Sequence, residues 1–449
     1  MTQYDLEQIA ERFKDSNFIK HVLKEHAYVN VPLNFEEAYA LGVAAIAPHI
    51  PTIRNSPEFK EFFKEVSNDP EKAKEILFFG KDTLQDAMMA RMALTDKQTL
   101  SAMCALHTIA TYHAKPEKKT IYLHQEVGGH SCPTDAAEQI AGISAAIIEY
   151  DTANAENGFL NPNVSCAIDN CGMGGDFYKT ANISTLAALI ASSANIPICK
   201  HGSPANADAG KHGSSDFVAE FILGKESFQD LIGIPKQVVE EAIEEHGFGY
   251  TEALDTNYKR VHRLTHNSSF LPHMNDIIGP MTNPLDKRVA TKKIIGVNHL
   301  IPPEIVAKAF KILNGQGVTD VRRGIFVRGY VQKNNLEGID ELSIMPGGSR
   351  LAELREGEVT KRQVFAEEFG IKSVSYKSIA PQGKKGDFSM ALLNGEVKGA
   401  PLEIVLANAA LIFHLNNGIT LREGYEEARE VVESGAHREK AAELKEHFR

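Results

Sequence analysis

The run from Val164 to Asp216, VSCAIDNCGMGGDFYKTANISTLAALIASSANIPICKHGSPANADAGKHGSSD, constrains the fold more than any other part of the 449 residues. Val164, Cys166 and Ile168 alternate with small or polar residues, which suits a buried strand. Gly172-Met173-Gly174-Gly175-Asp176 follows at once. Glycines there let the chain turn tightly and bring its backbone against a ligand with no Cβ in the way. Asn182, Ser184 and Thr185 stand where an apolar run from Leu186 to Ala194 begins as a helix. A helix start offers unpaired N–H groups and a positive dipole end, a seat for phosphate. After Pro197 a short strand delivers Lys200 and His201 to a second Gly/Ser loop. Two such loops at neighbouring strand ends close over one anionic ligand.

Upstream, residues 1–160 read as mostly helical, with residues 1–90 an extension. Leu6, Ile9, Phe13, Phe18, Val22 and Leu23 recur at helical intervals, as do Phe59, Phe62, Phe63 and Val66. Leu94 to Thr111 is another helix, Ile121 to Leu123 a β-like triplet, and Thr134/Asp135 cap a helix carrying Ile140, Ser144, Ile147 and Ile148 on one face. From Val164 strands alternate with helices, the signature of an α/β domain over 161–449. Residues 292–297, 323–329 and 373–376 are strand candidates, and Pro302-Pro303-Glu304 opens a helix to Leu313. Residues 249–279 interrupt the pattern as polar helices, with 250–272 expected to return to the helical domain. The last helices span 405–417 and 420–435.

The net charge of −11 argues against a broad nucleic-acid surface. No apolar run reaches the ~20 residues that cross a bilayer. The polar, acidic first residues have neither the apolar core of a signal peptide nor the composition of a transit peptide. The five cysteines include no C-x-x-C pair and read as reduced intracellular thiols, so a cytoplasmic location is expected. His130, His212 and the other scattered histidines show no metal-ligand spacing.

Five ordered motifs bring in a resemblance. Gly172-Met173-Gly174-Gly175-Asp176, Asn182-Ile183-Ser184-Thr185 and Lys200-His201-Gly202 resemble the G-T-G-G-D, N-[IV]-S-T and K-H-G-N signatures of the anthranilate phosphoribosyltransferase family. Gly279-Pro280-Met281-Thr282-Asn283-Pro284 resembles its G-P-L-x-N-P, and Gly338-Ile339-Asp340-Glu341-Leu342-Ser343 its G-x-D-E-x-S. Asn408-Ala409-Ala410 and the tail from Glu423-Gly424 to Ser434-Gly435 are similar to the family's C-terminal helices. The resemblance implies an α/β protein: a small helical domain and a larger α/β domain with a central mixed, partly parallel sheet, the substrates meeting in the cleft between. A homodimer formed through the helical domain is also typical of the family.

The implied reaction is attack of a nitrogen nucleophile on C1 of 5-phosphoribosyl 1-diphosphate, releasing diphosphate, with Mg2+ as cofactor. An oxocarbenium-like centre needs a fixed ribose and a neutralised leaving group more than covalent help. The resemblance assigns Gly172, Gly174, Gly175, Asp176, Asn182, Ser184, Thr185 and Lys200 to the donor, with Lys200 a point charge for electrostatic stabilisation. Ser184, Asp340 and Glu341 are the implied metal ligands, oxygen donors of the kind Mg2+ favours.

On the acceptor side, His201, Ser203, Arg263, His266 and Pro280 are the candidates. Here the chain departs from the family. Counting fourteen residues back from Pro280, where the family has an Arg for the anthranilate carboxylate, lands on His266, with Arg263 one turn earlier. Pro272-His273 replaces the usual Arg-Thr, Ser203 the Asn of K-H-G-N, and Met173 the Thr of G-T-G-G-D. Losing the Arg removes a bidentate carboxylate clamp. The expectation is a retained donor half and a small aromatic or heterocyclic acceptor other than anthranilate, or anthranilate held differently. A nucleoside phosphorylase is the alternative, against which the Asp340-Glu341 pair counts, since phosphorolysis needs no diphosphate clamp. A non-catalytic nucleic-acid binder is the third reading, disfavoured by acidic charge.

Overall fold

The structure, a computed structural model, describes residues 35, 39, 136–152, 158–174, 178–202, 213–252, 274–298, 301–333 and 338–449. The chain divides into two compact units, one formed by Met1–Glu156 with Thr256–Thr282 and the other by Asn157–Asp255 with Asn283–Arg449.

In the smaller unit, the helix Ala136–Ala146 continues into one wider turn, Ile147–Asp151. Ile140, Ile143, Ile147 and Ile148 are buried, as their spacing on one face requires. Ser144 Oγ approaches Met281 Sδ at 3.9 Å, and Tyr39 OH donates to Glu149 Oε2 at 2.7 Å. Pro280 lies within the helix Met274–Met281.

The larger unit is an α/β structure built on one eight-stranded mixed sheet. Its strands are β1 (Cys166–Gly172), β2 (Ile198–Gly202), β3 (Phe248–Glu252), β4 (Ala290–Gly296), β5 (Val321–Tyr330), β6 (Gly338–Ile339), β7 (Ser349–Arg355) and β8 (Glu358–Val364). Their order is β3-β2-β1-β4-β5-β7-β8, with β6 also on β5. β3, β2, β1, β4 and β5 run parallel, whereas β6 and β7 pair antiparallel to β5, and β8 to β7. The longer helices are α1 (Ile183–Ser192), α2 (Lys236–His246), α3 (Pro303–Gly315), α4 (Lys385–Leu393), α5 (Ala400–Asn417), α6 (Leu421–Ser434) and α7 (Ala436–His447).

β1 is buried on both faces along its middle, as a central parallel strand must be, so the alternation read at Val164–Ile168 is not its organising pattern. α3 opens on Pro303, whose missing N–H costs nothing in a first turn. Thr420 Oγ1 accepts from Glu423 N while the Glu423 carboxylate accepts from Thr420 N, a capping box that sets the start of α6. α5 ends at Gly418, which takes the left-handed conformation (φ 74°). α1, buried along nearly its whole length, packs on α5, whose buried residues run from Ile404 to Leu415. Among the described residues no single helix is long and apolar enough to cross a membrane.

Some sequence expectations need correction. Residues 373–376 form no strand: Ser375 precedes a short helix, Tyr376–Ile379, and the Tyr376 ring packs edge-on against Tyr178. Residues 249–252, read within a helical segment, belong to strand β3. The β7–β8 hairpin, α2, α4 and α7 are among the elements not anticipated. The helices expected within residues 6–23, 59–66 and 94–111, and the 121–123 triplet, lie outside the described residues.

Candidate functional site

Chain direction locates the site. From β1 the chain steps through α1 to β2 on one side, and from β4 through α3 to β5 on the other. Right-handed crossovers therefore put α1 and α3 on opposite faces of the sheet. The order reverses between β1 and β4, and ligands of open α/β sheets bind beyond the carboxyl ends of the strands at such a switch point.

At that point β1 and β4 end in register on Gly172 and Gly296. The polypeptide around Asp340 fills the gap. A Cβ on Gly296 would stand 1.4 Å from Asp340 O, and one on Gly172 would stand 2.4 Å from Asp340 Oδ2. Only glycine permits this approach. Gly174, at φ +70°, turns its N–H onto Asp340 Oδ2 at 2.7 Å. The glycine loop and the carboxylate motif, 166 residues apart, are thus one structure.

Glu341 lies beside Asp340, 9% exposed, with Thr180 Oγ1 at 3.5 Å from its Oε2. Asn408 fixes the segment that carries both carboxylates. Its Oδ1 accepts from Leu342 N and its Nδ2 donates to Leu342 O, each at 3.0 Å. Ser343 Oγ donates to Tyr330 O and accepts from Met345 N, tying the same segment to β5. Burial, reinforced by the Asp340 charge, pushes the Glu341 carboxyl well above its ordinary range, against the pull of Lys385 and Lys200.

That shift has a measurable consequence. A carboxyl raised in the folded state contributes its full stability below the unfolded value, near 4.5, and loses it as pH rises through the folded value. Glu341→Gln keeps the shape and removes the proton. As pH rises above about 4.5 the variant is expected to gain stability relative to the native chain, read from urea midpoints across a pH series. Parallel pH profiles for the two proteins would refute it.

Lys200 comes from β2, 1% exposed, with Nζ donating to His201 O at 2.9 Å. Burial depresses its pKa, while the Cys171, Asp169, Asp340 and Glu341 groups work the other way. Beneath it, Lys293 of β4 and Asp169 of β1 form an ion pair with both side chains fully buried, and His201 Nδ1 lies 3.6 Å from Asp169 Oδ1. Burial alone would raise the Asp169 carboxyl. The charges of Lys293 and His201 and their hydrogen bonds outweigh it and hold the group below its ordinary value. Burial lowers the His201 pKa, against the pull of Asp169. Cys171 is pushed up to about 12 by burial and by Asp169, and Cys199 is also raised well above its ordinary value. Neither thiol is a nucleophile.

At the start of α1, Asn170 Nδ2 holds Ser184 O at 3.0 Å. Asn182 gives its N and Nδ2 to Ser389 Oγ of α4, at 2.9 and 3.2 Å, so its amide anchors the helix start. Thr185 Oγ1 is buried without a hydrogen-bond partner.

Among the expected residues, Asp340 meets both Gly172 and Gly174, Glu341 follows it in the chain, and Lys200 lies within reach of both carboxylate charges. Ser184 and Thr185 lie on α1. His201, expected on the acceptor side, is 2% exposed and turned to Asp169. Pro280 is in the other unit, and Gly175, Asp176, Ser203, Arg263 and His266 lie outside the described residues. Sequence reading passed over Asp169, Lys293, Thr180 and Ser389. The one available signal was Asp169 and Asn170, polar residues inside an otherwise apolar strand.

Comparison with known proteins follows from this geometry. Residues 165–438 match the glycosyl transferase family, α/β domain. An anthranilate phosphoribosyltransferase of Haloarcula marismortui is 31% identical over 293 residues, 64% of this chain and 80% of that protein. The chain belongs to this family. A second anthranilate phosphoribosyltransferase, from Nitrosospira multiformis, is 32% identical over 281 residues, 62% of this chain and 74% of the relative. Membership makes the chain a pentosyltransferase of the anthranilate phosphoribosyltransferase type. The fold is similar to that of anthranilate phosphoribosyltransferase from Thermus thermophilus (TM-score 0.58, 23% identity, 86% of this chain and 98% of that one). It is also similar to the Saccharomyces cerevisiae protein in complex with PRPP and Mg (TM-score 0.58, 18% identity, 88% and 98%).

Proposed function

We propose that the chain transfers a 5-phosphoribosyl group from phosphoribosyl diphosphate to a nitrogen of an aromatic or heterocyclic acceptor, releasing diphosphate. The observation that carries the reading is the contact between the glycine loop and the carboxylate pair. The Gly174 N–H on Asp340, the Lys200 ammonium and two adjacent carboxylates meet at one switch point. A yeast member of the fold with PRPP and Mg bound supports the same donor and cation.

The residues fit Mg2+. Asp340 and Glu341 supply oxygen donors, and a carboxyl held above its ordinary pKa by burial and by its neighbour's charge is relieved when a cation shares the charge. When bound, Mg2+ neutralises diphosphate oxygens and so improves the leaving group. Asp340 and Glu341 would hold it, with Ser184 a further oxygen from α1.

Lys200 places a positive charge beside the same oxygens. The Gly172–Gly174 backbone and the start of α1, with the unpaired Thr185 hydroxyl, orient phosphate groups. Little further chemistry is asked of the protein, because bond breaking at C1 runs ahead of nucleophile attack and electrostatic placement lowers the barrier. Gly175 and Asp176 belong to the same donor set.

On the acceptor side, the relatives' names supply anthranilate as the reference substrate. Where the family has its carboxylate-binding Arg, this chain has His266, with Arg263 one turn earlier. The reading is an acceptor other than anthranilate, or anthranilate held by Arg263, in a cytoplasmic homodimer. Steady-state transfer is measured with phosphoribosyl diphosphate, Mg2+ and a panel of aromatic amines and bases, following diphosphate release. Arg263→Ala is expected to raise the acceptor KM at least about tenfold while leaving the donor KM unchanged. Release of base from nucleosides driven by phosphate, with no diphosphate-releasing transfer, would replace this function with phosphorolysis.

A further inference from the structure

The packing of α2 against α7 brings together side chains that the proposed transferase site does not use. Glu245 and His246 close α2 and His447 closes α7. One ligand atom from each lies within 4.8 Å of the other two. We propose that Glu245, His246 and His447 bind a borderline divalent cation of the zinc class, which staples α7 to α2.

Three observations support the site. First, the two imidazoles meet edge to face, with ring centroids 5.0 Å apart. Tetrahedral ligands at ~2.1 Å from zinc stand about 3.4 Å apart, a separation that small side-chain rotations reach from the present spacing. Second, His447 Nε2 lies 3.1 Å from Val238 O, which can only accept. Nε2 therefore carries the proton and Nδ1 the lone pair, with a backbone carbonyl fixing the tautomer as it does for many metal-bound histidines. Third, both helices, of 11 and 12 residues, present their carboxyl ends here, where the helix dipole favours positive charge.

Glu443 Oε2, 3.7 Å from His246 Nδ1, is a further anionic oxygen, and Lys440 occupies it at 2.8 Å. Two imidazoles and a carboxylate select zinc, cobalt, nickel or copper over Mg2+, which prefers oxygen donors alone. A second cluster of similar donors, Asp169, Cys171 and His201, does not compete: Lys293 occupies the carboxylate and the Cys171 thiol is protonated. Sequence spacing gave no sign of the proposed site, because its histidines lie 201 positions apart and meet only through helix packing.

The test is a Co2+ titration of the full, untagged chain, stripped of metal and kept in excess Mg2+ so that the Asp340–Glu341 carboxylates are masked. The readouts are the visible cobalt absorption, Zn2+ competition against a chromophoric chelator, and thermal midpoint. One cation per chain is expected, with a higher midpoint on loading. His246→Gln and His447→Gln, tested separately, are each expected to weaken binding at least about tenfold and to abolish the midpoint rise. Glu245→Gln should weaken it less. Retained native transferase activity and circular dichroism identify folded variants, and either histidine variant alone suffices. No uptake by the native chain, or equal affinity in a folded histidine variant, would overturn the proposal.

Discussion

Replacing Lys293 with methionine is expected to destabilise the chain by about 3–5 kcal/mol, the scale on which removing one partner of a buried ion pair is felt. The methionine fills nearly the same volume, and Phe310, whose ring centre lies 5.3 Å from Nζ, accepts a thioether as readily as an ammonium. What the substitution changes is Asp169. Its carboxylate is fully buried, and without Lys293 it is left with His201 at 3.6 Å. Adding Asp169→Asn should restore most of the loss, because the uncompensated charge disappears with its origin.

The pH dependence of the single variant separates this account from a packing defect. With Lys293 gone, the nearest cation available to Asp169 is a protonated His201, whose pKa then rises. A histidine raised on folding contributes stability below its unfolded value, near 6.5, which is lost as pH rises through the folded value. The Lys293→Met deficit should therefore be smaller near pH 5.5 than near pH 8, by urea denaturation at both. A deficit under about 1 kcal/mol, or one independent of pH, would show that the pair carries no such weight.

The same strand shows where the sequence stops being readable. Lys292 and Lys293 are adjacent and alike on paper. In the structure, Lys292 reaches the carboxyl end of α5, bonding Asn416 O, while Lys293 is fully buried against a residue 124 positions away. In a strand covered on both faces no period of two separates inside from outside. Only the partner decides, and the partner is remote. The glycine loop was legible for the opposite reason: its conformation is local, so its residues announce it.

The hairpin of β7 and β8 had a local sign that went unused. Arg355-Glu356-Gly357-Glu358 holds a two-residue turn with Glu356 at φ 51° and Gly357 at φ 80°, the double positive φ of a mirror-image turn that suits a tight hairpin. Its exposed, charged β8 reads as loop by composition, yet charge is what an edge strand carries against pairing with another sheet. Residues 373–376, rich in β-formers, looked the more convincing strand. Tertiary context overrode that preference, since Val374 bonds Ile344 O and the following residues turn into a helix start. The glycine loop was thus readable because a short segment fixes its own shape, and the buried charges beneath it were not.

The second large effect is expected from Gly296→Ala, one methyl group at the switch point. The added Cβ falls 1.4 Å from Asp340 O and 2.5 Å from its carbonyl carbon, so no side-chain rotation relieves it. β4 is held in register by β1 on one side and β5 on the other, and the Asp340 segment must give way instead. That segment is tied by Asp340 to Gly174, by Glu341 to Thr180, by Leu342 to both ends of the Asn408 amide and by Ser343 to Tyr330. Displacement breaks some of these and carries both carboxylates off the glycine loop. Overpacking of this kind costs about 1–3 kcal/mol, and a shift near 1 Å in groups that position substrate costs about 100-fold in kcat/KM for phosphoribosyl transfer. Gly172→Ala provides the graded comparison. Its Cβ meets only the Asp340 carboxylate, at 2.4 Å from Oδ2, and the side chain can rotate away at the expense of the Gly174 hydrogen bond. The Gly172 variant should keep more of its stability while still losing activity, whereas the Gly296 variant loses both. Wild-type turnover and thermal midpoint in Gly296→Ala would mean that the carboxylates do not depend on this contact.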